Sequence, residues 1–293
     1  MDRKAAILYP GEMGAAVGKA LVGGGWTVVS CLEGRGARTV SAAQAAGITP
    51  VATLEAVAAS AEVVVSLVPQ PAVVATAAAF AAAVGGTDRR PVYLDANSVS
   101  PATVAEVRTI VEAAGCGCVD GAFLGSAKAL GQKTTLYLSG GPAGELGLLL
   151  GDALKCVVLD GDVGAASAFK LAFAGFNKGL VALFLEVMAA ADRLGQRDDL
   201  LECLRAFYPG TVETVARLLP SYPRHAARRA KEMDELVSSL RAQGSEAAMA
   251  AGAGAVLARF AALGLDADSA WDLDAVLEAC SQAGRLRDEA GPS

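Results

Sequence analysis

Metal-ligating side chains are scarce in this sequence. His225 is its one histidine, and the six cysteines (Cys31, Cys116, Cys118, Cys156, Cys203 and Cys280) include no C-x-x-C pair. A Cys/His zinc centre therefore has almost no donors, and no metal site is expected. The cysteines read as reduced, buried thiols, and Cys116-Gly117-Cys118 is spaced too tightly for an easy disulfide. Charge is scarce as well: 19% of residues are charged against 53% hydrophobic, which excludes a disordered chain. The net charge is -6 and no block of Lys or Arg stands out, so neither a nucleic acid nor an anionic membrane is an expected partner. Val63 to Thr87 carries no charge at all. Pro69, Gln70 and Pro71 interrupt that run, which reads as a buried strand followed by a helix rather than a membrane span. A strand is expected within five residues of Met1, and no signal peptide is expected. A cytoplasmic, soluble protein is the expectation.

What is abundant is alanine, with 33 glycines besides, and 293 residues suffice for two domains. The first half alternates short apolar runs with alanine-rich helical stretches. AAILY leads through PGEMG into a helix to about Val22. WTVVSCL precedes a helix over about Ala37 to Ala46, and VVVSLVP, PVYLDAN, CGCVDGAF, TTLYLSG and KCVVLDG follow as strands. Near-continuous apolar strands between helices predict an α/β domain with a mostly parallel sheet covered on both faces. Its ligand belongs at the carboxyl ends of the strands, where strand order reverses. From Gly164 the chain reads as all-α. A long helix, apolar on most sides and ending near Gly195, must be buried in its own domain or by a partner subunit. The expected boundary is at residue 163, giving domains 1–163 and 164–293, and the charged tail after Arg285 is expected to fray.

Three loops carry chemistry. YPGEMG has the spacing of the dinucleotide turn G-x-G-x-x-G, with Tyr9 and Pro10 where the first glycine and its neighbour would stand. Gly11 would let the backbone approach a pyrophosphate, Gly14 would let helix and strand pack, and the N–H groups at Glu12 and Met13 would face the phosphates. Past WTVVSCL, Glu33 would suit the ribose hydroxyls of NAD. Ser30, Arg35 and Arg38 would instead surround the 2′-phosphate of NADP, which makes NADP(H) the expected cofactor over NAD(H). Val68 and Pro69 end the strand VVVSLVP on the same ligand-bearing edge.

DANSVSP, DGAFLGSAKAL and KLAFAGFNKG follow these loops in order. With YPGEMG, they resemble the β-hydroxyacid dehydrogenase superfamily, which includes 3-hydroxyisobutyrate and 6-phosphogluconate dehydrogenases and the imine reductases. That family runs G-x-G-x-M-G, D-x-S-T-x-x-P, D-A-P-V-S-G-G and a helix with G-x-x-x-K-x-x-N-N. The resemblance spans nearly the whole chain, and KEMDEL at Lys231 falls where many relatives carry K-D-L-x-L-A. It implies a Rossmann-like domain, a helical domain around a long central helix, and a homodimer interlocked through the helices. It further implies hydride exchange between a nicotinamide and a small hydroxy or oxo acid. Imine reduction, or cofactor sensing without turnover, is the alternative.

Carried over by position, Lys170 is the proton donor or acceptor, and Gly125 and Ser126, after Leu124, hold the substrate. Asn97 and Ser98 lie near the nicotinamide and substrate. Phe169, Leu171 and Phe173 around Lys170 would desolvate it and lower its pKa. The chain departs from the family in having Phe173 and Ala174 for the asparagine pair. Asn177, two turns past Lys170, could take over that contact, and Lys178 is an alternative catalytic amine. YPRHAARRAKEMDEL resembles the variant C-terminal domain of phosphogluconate dehydrogenase-like proteins. There His225, Arg229 and Glu232 share one helix face, with His225 a candidate for substrate binding or proton transfer and Arg229 for an anionic substrate group.

Overall fold

The computed structural model describes residues 3–289, with side-chain burial to residue 282. The chain forms two compact units, Met1–Lys170 and Leu171–Ser293. The first holds an eight-stranded sheet in the order β3-β2-β1-β4-β5-β6-β7-β8. Its strands are β1 Lys4–Leu8, β2 Thr27–Cys31, β3 Thr49–Val51, β4 Val63–Ser66, β5 Val92–Asp95, β6 Cys118–Leu124, β7 Thr135–Ser139 and β8 Cys156–Val158. Pairing is parallel from β3 through β6, antiparallel between β6 and β7, and parallel again between β7 and β8.

The apolar strands follow from burial on both sheet faces. Along β1, Ala5 and Ile7 belong to one hydrophobic cluster, while Ala6 and Leu8 belong to the other. Val63 and Val65 of β4 likewise join the first cluster and Val64 the second. A period of two, buried on either side, produces the continuous apolar runs seen in the sequence. Each fully buried Val, Leu or Ile contributes about 1.5–3 kcal/mol. Helices α1 Glu12–Gly23, α2 Ala37–Ala45, α3 Leu54–Ser60, α4 Val73–Val84, α5 Pro101–Ala113 and α6 Ala143–Leu150 accompany the strands.

Two elements escape the sequence reading, β3 and α3. Strand β3 is a three-residue edge strand, Thr-Pro-Val, too short for alternation to register. An edge tolerates Pro50, whose missing N–H costs no internal ladder bond. Helix α3 has only seven residues, and the Thr53 hydroxyl caps it by accepting the Ala56 N–H at 3.2 Å.

The second unit contains most of α7 Ala165–Arg193, then α8 Arg197–Phe207, α9 Pro209–Leu218, α10 Tyr222–Ala242, α11 Ala248–Ala261 and α12 Leu273–Glu289. The units thus divide inside α7, whereas the expected boundary at 163 precedes it. Helix α12 continues to Glu289, and the remainder of the tail expected to fray lies outside the described residues. On α7, Val181, Ala182, Phe184, Leu185 and Met188 are buried in the core shared with α9, α10, α11 and α12. Gly175 lets α10 approach, since a Cβ there would lie 2.2 Å from Leu236 Cδ2. Another face of α7 leaves Phe173, Phe176, Leu183 and Val187 exposed, with Leu194 just past its end. Among the described residues, six α-helices around a shared apolar cluster give the all-α organisation expected of this half.

Candidate functional site

Strand order reverses at β1, which has β2 on one side and β4 on the other. The crevice for a ligand lies there, at the carboxyl ends of the strands. The turn Tyr9–Gly14 opens onto it. Gly11 caps α1 from an extended conformation, with no side-chain hydrogen bond to the helix. The first-turn N–H groups at Glu12 and Met13 have no intrahelical carbonyl to bind, so they suit an anion. A Cβ added at Gly11 would meet nothing within 4 Å, so the backbone faces open space there. Gly14 does the reverse, placing a notional Cβ 3.1 Å from Ile7 Cγ2. Gly18, one turn on, is tighter still, at 2.5 Å from Ile48 Cδ1. The motif assigns helix packing to Gly14 alone; the cue for Gly18 is a second glycine on the same helix face. An open Gly11 over an uncapped helix start fits the phosphates of a dinucleotide.

Beyond β2, Ser30 departs from its expected role. It is fully buried, and its hydroxyl donates to the Ile7 carbonyl at 2.7 Å. The pleat of β2 turns it into the sheet, away from any ribose phosphate. Arg35 and Arg38 are exposed, as is Glu33. The Arg35 guanidinium lies 3.9 Å over the centre of the Tyr9 ring.

Asn97 ties two loops of the same edge together. Its Oδ1 accepts the Val68 N–H at 2.6 Å, and its Nδ2 donates to Ser66 Oγ at 3.1 Å and Asp95 Oδ1 at 3.0 Å. Its own N–H also donates to Asp95 Oδ1, at 3.0 Å. The Asn97 side chain is therefore bonded internally and orients Val68-Pro69. Asp95 is fully buried, and its Oδ2 has no partner among the described residues. Burial pushes its carboxyl up to about 6, against the two Asn97 hydrogen bonds and with help from the Asp120 charge. The folded value exceeds the unfolded one, so the folded protein binds this proton more tightly. The corresponding stability is full below about pH 4 and lost as pH rises through about 6, a change of about 3 kcal/mol. Asp95→Asn keeps one acceptor and removes the proton. Urea midpoints between pH 4 and 7 should show that decline in the native protein and its loss in the variant. Equal slopes in both proteins would exonerate Asp95.

Lys170 stands near the start of α7, and its ammonium donates to Ser98 Oγ at 2.6 Å. The helix start that carries it is anchored by Asp120, a fully buried residue on β6. Asp120 Oδ1 accepts the Ser167 hydroxyl at 2.7 Å, and Oδ2 accepts the Ser167 N–H at 2.8 Å and the Ser139 hydroxyl at 3.3 Å. Ser139 Oγ in turn accepts the Ala166 N–H at 3.0 Å. A carboxylate on the free N–H groups of a helix start is favourable electrostatically as well as by hydrogen bonding. The cue for Asp120 is an acid inside an otherwise apolar strand, CVDGAFL. The apolar enclosure expected for Lys170 does not form. Phe169 packs on Tyr137 with ring centroids 4.7 Å apart, and Phe169 and Phe173 are exposed. Successive helical residues point about 100° apart, so sequence neighbours do not enclose one another.

The Leu124-Gly125-Ser126 loop is set by Gly125, at φ +135°. A Cβ there would lie 2.7 Å from the Thr134 Cα, so only glycine fits. The Thr134 hydroxyl donates to the Ser126 carbonyl at 2.8 Å, leaving the Ser126 side chain exposed. The short 3-10 turn that follows, Ala127–Ala129, packs against α1, bringing this loop beside the phosphate turn.

In the second unit, Lys178 is buried and paired with Glu232 at 3.0 Å. Its ammonium is held in that ion pair. Glu232 also pairs with Arg228. Arg229 stacks 3.9 Å over Tyr222, donates to Ser221 Oγ at 2.8 Å and keeps a buried Nη1 without a partner among the described residues. His225 is half-buried, and burial, then the charges of Arg228, Arg229 and Arg224, hold its pKa below the usual value. Asn177 is half-buried on α7.

Residues 6–149 match the NAD binding domain of 6-phosphogluconate dehydrogenase, and residues 191–260 match a domain of unknown function, DUF1932. An uncharacterized 28.5 kDa protein of Methanothermus fervidus is 29% identical over 177 residues, which are 60% of this chain and 66% of that protein, just under two thirds of its length. A conserved protein of unknown function with structural similarity to 3-hydroxyacid dehydrogenases superposes with a TM-score of 0.76 at 30% identity, over 87% of this chain and 96% of the other. The 3-hydroxyisobutyrate dehydrogenase of Mycobacterium tuberculosis, solved with L-serine, superposes with a TM-score of 0.75 at 22% identity, over 95% of this chain and 99% of its own.

Proposed function

Since the chain belongs to the β-hydroxyacid dehydrogenase-like superfamily of nicotinamide-dependent oxidoreductases, we propose that it interconverts a small hydroxy acid and its oxo acid using NADP(H). The observation that carries this reading is Lys170 Nζ, 2.6 Å from Ser98 Oγ, in the unit whose Gly11 turn fits a dinucleotide. Gly11, Glu12, Met13 and Gly14 would hold the pyrophosphate. Val68 and Pro69 would flank the nicotinamide. Arg35 and Arg38 favour the 2′-phosphate. When bound, the nicotinamide supplies or accepts the hydride. In the reducing direction the Lys170 ammonium gives its proton to the carbonyl oxygen, and in the oxidising direction the amine takes the hydroxyl proton. Ser98 orients that amine, and the Gly125-Ser126 loop receives the acid group.

Titration with NADPH and NADH by nicotinamide fluorescence, followed by turnover assays over short hydroxy acids, oxo acids and cyclic imines, tests the proposal. Turnover of imines alone would favour the reductase alternative, and binding without any turnover the sensor. The retained lysine supports carbonyl chemistry over both. The six unpaired cysteines support a reducing, cytoplasmic setting.

The exposed face of α7 supports a homodimer. Phe173, Phe176, Leu183 and Val187 recur at spacings of three, four and seven residues, the pattern of a helix seam. Phe176→Glu combined with Leu183→Glu is expected to convert a dimer to a monomer in light scattering. An unchanged mass would remove this face from the interface.

A further inference from the structure

Tyr9 is one of two non-glycine residues at positive φ among the described residues, at +55°. It stands where the dinucleotide turn normally begins with glycine, and a bulky side chain in the left-handed region is disfavoured. Backbone strain of this kind persists where the surroundings compensate it, and such sites cluster around ligands. The compensation on view here is the Arg35 guanidinium, 3.9 Å over the Tyr9 ring. Arg35 follows Gly34, whose φ of +69° turns the chain after β2, and its Nε donates to the Glu33 carbonyl at 3.4 Å. An exposed arginine samples many rotamers; one stacked on a ring and bonded to a carbonyl is ordered before any ligand arrives.

We propose that Tyr9 is a positioning residue for cofactor discrimination: its ring presets the Arg35 guanidinium at the carboxyl ends of β1 and β2 for the 2′-phosphate of an adenine dinucleotide. This rests on the NADP(H) reading above. It explains why the chain keeps an aromatic residue at the glycine position: the turn gives up conformational ease and gains an ordered phosphate ligand. The side chain acts through Arg35 and does not itself touch the reacting atoms.

Dissociation constants for NADPH and NADH, measured by nicotinamide fluorescence on the full chain, test it with four variants. Tyr9→Leu keeps apolar bulk at the same φ but removes the π face, and Tyr9→Phe keeps the face and removes the hydroxyl. Arg35→Lys keeps the charge but not the planar stack, and Arg35→Ala removes both. Tyr9→Leu and Arg35→Lys should weaken NADPH about 3-fold to 10-fold with NADH unchanged, Tyr9→Phe should match the native protein, and Arg35→Ala should lose at least as much as either. Equal losses for both cofactors in Tyr9→Leu would reduce Tyr9 to a structural role and overturn the proposal. A native NADPH-to-NADH ratio in Tyr9→Leu and Arg35→Lys, with Arg35→Ala impaired, would overturn it and leave the NADP(H) reading standing. If the ratio survives even Arg35→Ala combined with Arg38→Ala, the NADP(H) reading itself fails. Should Tyr9→Leu not fold, Arg35→Lys carries the test with Tyr9 intact.

Discussion

Lys170→Met is expected to lower turnover by about 10²- to 10⁴-fold, the usual contribution of a positioned general acid or base, while leaving cofactor affinity within about a factor of two of native. Methionine keeps the stem length and removes the only group on that side chain able to move a proton. Lys170 lies in the turn of α7 next to the anchored Ala166 and Ser167, and its Nζ bond to Ser98 is not part of that anchor. Folding should therefore be preserved, and thermal unfolding within a few degrees of native would show it. Ser98→Ala should give a smaller loss, about tenfold, by leaving the amine less ordered. Native turnover in Lys170→Met, on a substrate the native enzyme reduces, would dismiss Lys170 as the proton carrier.

Asp120→Ala is expected to be the most destabilising single substitution near the site, at about 3–5 kcal/mol. The buried Ser167 N–H, Ser167 hydroxyl and Ser139 hydroxyl all lose their acceptor at once. For a unit of this size that corresponds to a fall in Tm of about 6–20 °C. Ser167→Ala deletes one of these bonds and should cost about 1 kcal/mol. The functional consequence separates the two carboxylates of the site. With Asp120 gone, the first turn of α7 loses its tie to β6 and keeps only the Ala166 N–H bond to Ser139 on β7, so kcat should fall along with stability. Loss of the Asp95 charge should act on the pH dependence of stability instead. Asp120→Ala with native Tm and native kcat would mean that α7 is held by its packing alone.

Much of the fold and part of the site were legible because their determinants are local. A glycine turn between an apolar strand and a helix, a proline that opens α5 behind the Ser100 cap, and strands that are predominantly apolar all betray themselves within a dozen residues. The order of YPGEMG, DANSVSP and DGAFLGS then brings Gly11, Asn97 and Gly125 to strand ends of one sheet, whose reversal at β1 defines the crevice. Less legible were the contacts of residues whose side chains find partners far along the chain. Ser30 bonds to Ile7, Asn97 to Val68 and Ser66, and Lys178 pairs with Glu232. Spacing places such a polar residue on an element without saying which way it faces or what it meets.

The sequence by itself determined the α/β-then-α organisation and pointed to the candidate phosphate turn, because periodicity and turn chemistry are written in consecutive residues, while Lys170 as candidate proton carrier came from the resemblance of its ordered motifs to a known family. Only the tertiary structure decided that Asn97 braces a loop, that Asp120 anchors the helix bearing Lys170, and that Tyr9 carries Arg35. A buried polar group must satisfy its hydrogen bonds wherever the fold supplies a partner. Those partners lie 29, 47 and 26 positions away in the cases of Val68 with Asn97, Ser167 with Asp120, and Arg35 with Tyr9, so the chain must fold before the pairs exist.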